Sequence, residues 1–123
     1  MTSCRIEPAT PETVEAFYGE PVGYSFKGIV AVEDENVIGI GGIYRLNGKR
    51  IAFTDMKPEM RKHKKIMVKS CRLLMDMIRK EHRPVYAVAN QDEPTAQDLL
   101  ARLGFEPTGQ FNEYGETVVW RDK

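Results

Sequence analysis

"GIVAVEDENVIGIGGIYRLNGKRIAFTDM", residues 28–56, carries three apolar segments rich in β-branched residues, at 28–33, 36–46 and 50–56. Two turn signals separate them. The first is Glu33-Asp34-Glu35-Asn36; the second is Asn47-Gly48, a strong two-residue hairpin signal because both positions favour positive φ. The stretch therefore predicts a three-stranded antiparallel meander. Gly39, Gly41 and Gly42 fall inside its middle strand, where glycine marks a bulge or a place where another backbone packs closely.

Downstream, Met67, Cys71, Leu74, Met75 and Ile78 recur at helical spacing, with Ile66, Leu73 and Met77 widening the stripe. The spacing predicts a helix over 64–80 lying against the sheet, with Lys65, Lys69, Arg72, Asp76 and Arg79 on its opposite side. "PVYAVAN" (84–90) is apolar at nearly every place and reads as a buried strand suited to parallel pairing. "PTAQDLLARLGF" follows, with a Thr95–Asp98 capping-box spacing, a short amphipathic helix and Gly104 as its stop. "PTGQFNEYGETVVWR" makes a closing hairpin around Gly115. Upstream, "CRIEP" (4–8) is a short strand, and Thr10 caps a helix that starts at Pro11 and runs to about Tyr18. Residues 19–28 hold too much Gly and Pro for a regular element. The order β-α-β-β-β-α-β-α-β-β describes one α/β (α+β) domain over 1–123.

A chain of 123 residues is long enough to bury a core without staples. Basic and acidic residues number 18 each, so net charge argues for neither nucleic acid nor a membrane surface. The basic residues crowd between Arg61 and Arg83, but few aromatics interleave with them, which weighs against nucleic-acid binding. No run approaches membrane-spanning length and no signal-peptide core precedes the domain. Cys4 and Cys71 lack metal-ligand spacing, and Cys71 lies on an apolar helix face, so both read as reduced thiols in a cytoplasmic setting. His63 reads as a solvated helix-start residue and His82 as a helix C-terminal one. No cluster has the spacing of a metal site, and no Ser/His/Asp order suggests a covalent route.

The meander, the helix, the strand ending at Asn90, then Ala96, Leu99, Leu100, Leu103 and Gly104-Phe105 resemble the GNAT acyltransferase superfamily in element order over nearly the whole chain. "MKPEMRKHKKIM" (56–67) is similar to that family's Pro-Glu-x-Arg-x-x-Gly-x-Gly/Ala loop at Pro58, Glu59 and Arg61, but Lys64 and Ile66 stand where the small residues would be. The resemblance extends, more loosely, to small phage-encoded GNAT-like proteins. It implies a central twisted sheet in which the strand at 50–56 runs parallel to the strand at 84–90 and splays from it at one end. It also implies acetyl-coenzyme A as co-substrate, held by Phe53, Thr54 and Met56, by the loop at Arg61, Lys62, Lys64, Lys65 and Ile66, and by the wall ending at Asn90.

The missing glycines leave two readings open. Arg61, Lys62, Lys64 and Lys65 act as charged phosphate donors in place of backbone amides, or the run is only a solvated, basic helix start. Positive charge there opposes the helix dipole and favours an anion or acidic partner. For catalysis the resemblance implies a base, with Asp55 and Glu59 as candidates, each of which also reads as an ordinary turn or first-turn acid. The family's proton-donating tyrosine is replaced by Leu100, leaving Tyr114 in the last hairpin. The implied activity is acyl transfer from acyl-coenzyme A to an amine. The short 19–28 segment leaves an acceptor side open enough for a protein. The alternative is a degenerate binding protein of the same fold, in a virion or against a host partner.

Overall fold

The computed structural model describes residues 3–21, 25–90 and 96–121. Its elements run β1 (Cys4–Pro8), α1 (Pro11–Tyr18), β2 (Phe26–Glu33), β3 (Asn36–Leu46), β4 (Lys49–Met56), a 3-10 turn (Pro58–Lys62), α2 (Lys64–Glu81), β5 (Val85–Asn90), α3 (Ala96–Arg102), β6 (Glu106–Phe111) and β7 (Gly115–Trp120). The strands form one seven-stranded mixed sheet in the order β1-β2-β3-β4-β5-β7-β6. Every neighbouring pair is antiparallel except β4 and β5, which are parallel. The Thr95 half of the expected capping box lies outside the described residues.

The meander follows from its turns. Asp34 (φ 45°) and Glu35 (φ 72°) at one end, and Asn47 (φ 52°) and Gly48 (φ 77°) at the other, all lie in the left-handed region. Paired positive-φ residues give a turn whose twist matches that of the flanking strands. Both meanings of the middle-strand glycines hold. Pairing shifts from Ala31–Gly39 to Val32–Val37, so Ile38 is the extra, bulged residue of β3. At Gly42 a Cβ would lie 2.3 Å from the Lys27 carbonyl oxygen, so only glycine fits opposite Gly28. Strand β2 starts at Phe26, two residues earlier than the Gly and Pro content suggests. The Phe26 side chain packs on the cluster beneath α1, and that burial overrides the local signal.

The two faces of the sheet are covered unequally. On one, α1 buries Val14 against Val30, Val32, Val37 and Ile40, with Phe17, Phe26 and Phe53 at the margin. On the other, Leu74, Met75 and Ile78 of α2 pack with Ile43, Ala52, Val85, Ala87, Ala89, Phe105 and Val118. Leu100 and Leu103 of α3 join that second cluster, as does Trp120. Cys71 sits on the inner side of α2 and burial raises its thiol pKa, the behaviour of an inert core cysteine.

Helix α2 is fastened at its C-terminal end by Glu81, whose carboxylate meets Lys27 at 2.7 Å and Arg50 at 2.9 Å. The Lys27 hydrogen bond, seconded by Arg50, holds the Glu81 carboxyl below its usual range. Arg50 pairs with Val85 in the sheet, so this cluster locks the end where β4 and β5 meet. His82 ends the helix in the left-handed conformation (φ 53°).

Candidate acyl-coenzyme A site

Strands β4 and β5 share only two rungs, Arg50–Val85 and Ile51–Tyr86. Beyond Ile51 the strands part, and the backbone of 52–56 that faces β5 has no strand partner. β4 stays paired to β3 as far as Met56–Gly39, and β5 stays paired to β7 as far as Asn90–Gly115. The result is a V-shaped cleft whose walls end at Met56 and Asn90.

Side chains alternate across β4. Phe53 points to the α1 side, its ring 5.6 Å from that of Tyr44, and Asp55 shares that side. Ala52 packs under α2, so Thr54 and Met56 face the same way; Met56 is 56 % exposed at the cleft mouth. The predicted cofactor wall is therefore split between the two faces of one strand.

The chain leaves β4 through a 3-10 turn and enters α2 at the same end of the sheet. The first bond of α2 runs from the Met67 amide to the His63 carbonyl, at 3.0 Å. The amides of Lys64, Lys65 and Ile66 thus precede the helix ladder, and no side chain caps them. There is no acid in the first turn of α2. Arg61, Lys64 and Lys65 are exposed and, among the described residues, carry no ion pair. Ile66 differs from them, since it is half-buried against Ala31, Ile38 and Met60.

Two members of the basic run are not free. Glu33, at the end of β2, is 9 % exposed and the one buried charge among the described residues. Its Oε2 contacts His63 Nε2 in a short hydrogen bond and Lys62 Nζ at 3.3 Å. The His63 bond, helped by Lys62, holds the Glu33 carboxyl below the usual range. His63 is accordingly not a solvated helix-start residue. The 3-10 turn ends at Lys62, so His63 forms the elbow into α2 (φ −109°, ψ 60°), and its ring turns toward the sheet. Sequence reasoning missed this clasp, although Glu33 ending the apolar run "VAVE" was a signal.

Asp55 is exposed and accepts a 2.5 Å hydrogen bond from the Tyr18 hydroxyl at the end of α1. Beside it, Lys57 Nζ lies 5.3 Å from the centre of the Phe17 ring. Nothing in the sequence around Tyr18 signals this contact, which spans 37 positions. Glu59 is exposed on the 3-10 turn. Tyr114 is 61 % exposed, and its amide donates to Asn112 Oδ1 at 2.8 Å. It precedes Gly115, the partner of Asn90, so the hairpin tip stands at the splayed end of the sheet, beyond β5. Leu100 is half-buried in the α2 cluster. No group of His, Cys, Asp and Glu suited to a metal ion occurs among the described residues, and no described helix is long and apolar enough to cross a membrane.

No protein-family model matches the chain, and no curated protein matches it significantly in sequence. Solved structures do match. The ribosomal-protein-S18-alanine N-acetyltransferase of Escherichia coli superposes with a TM-score of 0.67 at 10 % identity, over 95 % of this chain and 91 % of that one. An acetyltransferase of GNAT family from Staphylococcus aureus Mu50 gives 0.67 at 11 % identity, over 98 % and 100 %. The PaiA N-acetyltransferase of Thermoplasma acidophilum, solved in complex with coenzyme A, gives 0.59 at 15 %, over 89 % and 66 %. At these identities the likeness fixes the architecture: this chain has the fold of the GNAT acetyltransferases.

Proposed function

We propose that the protein is an N-acyltransferase that moves an acyl group, acetyl in the simplest case, from acyl-coenzyme A to an amine. The observation that carries this reading is the coincidence, at one end of the sheet, of the β4–β5 cleft with the uncapped, basic start of α2. A thioester with a phosphate-bearing tail fits both parts. Unpaired backbone along 53–56 can align an extended amide chain, and positive charge with free amides can meet phosphates. Coenzyme A supplies the activated acyl carbonyl when bound. Arg61, Lys64 and Lys65 hold the phosphates in place of a glycine cradle, while Lys62 is drawn off by Glu33.

The chain's own groups then have definite tasks. Backbone amides of β4 orient the carbonyl. As the amine nitrogen bonds to the acyl carbon and the carbon–sulfur bond breaks, Asp55 Oδ2, set by the Tyr18 hydroxyl, takes the proton from the amine, and Tyr114, on the hairpin tip at the splayed end of the sheet, returns one to the departing sulfur. Glu59, on the exposed turn, has no comparable partner among the described residues. A protein or peptide amine suits the acceptor side, because only residues 19–25 connect α1 to β2. The neighbour named for an alanine of ribosomal protein S18 also acts on a protein.

A second reading, a binding protein of this fold without transfer, is favoured by one feature: a half-buried Leu100 packs against the core cluster at the position that resembles the family's tyrosine. The phage-encoded and virion resemblance belongs to that reading. Calorimetry with acetyl-coenzyme A separates the two. We expect weak binding that falls as salt rises, because exposed charges are screened over about 10 Å at 0.1 M. It should also fall in the Arg61→Ala/Lys64→Ala/Lys65→Ala variant. No binding by the wild type refutes the acyltransferase reading, and binding indifferent to the triple variant refutes the side-chain phosphate site.

A further inference from the structure

Glu33 is a buried carboxylate that no step of the proposed reaction uses. It reaches from the end of β2 to two successive residues of the β4–α2 connection, Lys62 and His63. Those residues are the hinge of the site, because Lys62 ends the 3-10 turn and His63 is the cap position of α2. The elbow has no capping side chain of its own and no glycine to set its shape. Among the described residues, the other groups nearby do not do this work. Cys4 is the sheet partner of Glu33 and its thiol pKa is raised by burial, while Arg5 is engaged by Glu7 and Glu35.

We propose that Glu33 is a positioning residue: through His63 it fixes the direction in which the first turn of α2, with Lys64 and Lys65, meets the phosphates, though it touches no ligand itself. This rests on the acyl-coenzyme A reading above. A glycine loop obtains its shape from backbone freedom, whereas this loop, built of bulky residues, obtains it from one carboxylate anchored in the sheet. The same clasp takes Lys62 out of the set of free cations, so the charge offered to a ligand comes from Arg61, Lys64 and Lys65.

The test compares Glu33→Gln with Glu35→Gln, which removes the same charge two residues away at a side chain 88 % exposed. Three quantities are read: coenzyme A affinity by calorimetry, amide exchange at Lys64–Met67, and the titration of the Glu33 side-chain carboxyl by carbon NMR in the wild type and in His63→Gln. Expected are an affinity loss of about tenfold in Glu33→Gln, the scale of one charged hydrogen bond, and a change within about twofold in Glu35→Gln. Exchange at Lys64–Met67 should quicken only in the first. In His63→Gln the Glu33 titration should move to higher pH. If Glu33→Gln does not fold, His63→Gln carries the affinity and exchange arms. Equal affinity in the two glutamine variants, or a Glu33 titration indifferent to His63, overturns the inference and leaves the acyltransferase reading intact. If the wild type binds no coenzyme A, both fail, and faster exchange in Glu33→Gln then identifies a clasp that is structural only.

Discussion

Replacing Ile66 or Lys64 by glycine, the residue that the family's loop would carry, should have very different costs at the two sites. Ile66 is half-buried on the cluster of Ala31, Ile38 and Met60. Full burial of an isoleucine side chain is worth about 1.5–3 kcal/mol, so half of it is roughly 0.8–1.5. Glycine in a helix adds about 1 kcal/mol. Ile66→Gly should therefore lose about 2–2.5 kcal/mol. Lys64 is exposed at the first helical position and buries nothing, so Lys64→Gly should cost roughly 0.5 kcal/mol or less. At about 4 °C per kcal/mol for a chain of this size, the Tm values should fall by roughly 8–10 °C and 2 °C. Urea unfolding followed by circular dichroism, with unchanged m, is the assay. Coenzyme A affinity should fall in Lys64→Gly, which loses a phosphate donor, and hold within about threefold in folded Ile66→Gly. Equal destabilisation would mean Ile66 does not anchor α2, and a gain of affinity in the double variant would show that the loop is an obstructed cradle rather than a side-chain site.

Arg50→Met leaves Glu81 with Lys27 alone in a site where both Glu81 and Arg50 are nearly buried, and should cost about 2–3 kcal/mol; Arg50→Met/Glu81→Leu should be closer to wild type in urea than either single variant, and strict additivity would contradict the ion-pair account. Glu33 and Glu81 have folded pKa values below their unfolded ones, so their contribution is complete above the ordinary carboxylate pKa near ~4.3 and is lost as pH falls through the lowered folded values. Stability should thus be level from neutral pH to about 5 as far as these two are concerned, then decline, and the decline should be shallower in Glu81→Gln. Tyr18→Phe removes the donor on Asp55 and should lower acyl-transfer turnover without changing acetyl-coenzyme A affinity; a fall in affinity instead would put the pair on the cofactor side.

Periodicity and turn chemistry made most of the fold legible. Asn47-Gly48 and the β-branched runs around it dictate the meander, and the apolar stripe from Ile66 to Ile78 dictates α2. The splay of β4 from β5 was legible only through resemblance, since two short rungs leave no local mark. The site's polar contacts were not legible at all. Glu33–His63, Arg50–Glu81 and Tyr18–Asp55 join residues 30, 31 and 37 positions apart. A charged side chain takes whichever partner the assembled strand ends deliver, and no pattern of nearby residues encodes that choice. His63 was misread because its neighbours are lysines. The helix begins one residue later, which turns the imidazole inward while Lys64 and Lys65 stay in water.

The two-rung contact between β4 and β5 also bears on synthesis. As the chain leaves the ribosome, β1–β4 can pair completely before β5 exists, because each of those strands needs only its sequence neighbour. During that interval β4 is an outer strand, and an unpaired outer strand recruits other chains. Lys49 and Arg50 stand at one end of it, Asp55 and Lys57 at the other, the kind of charged flanking that discourages such pairing. Arrival of β5 covers only the first third of the strand. Lys49 and Arg50 therefore serve the nascent intermediate alone, whereas Asp55 and Lys57 go on flanking an open edge for as long as the protein stays folded.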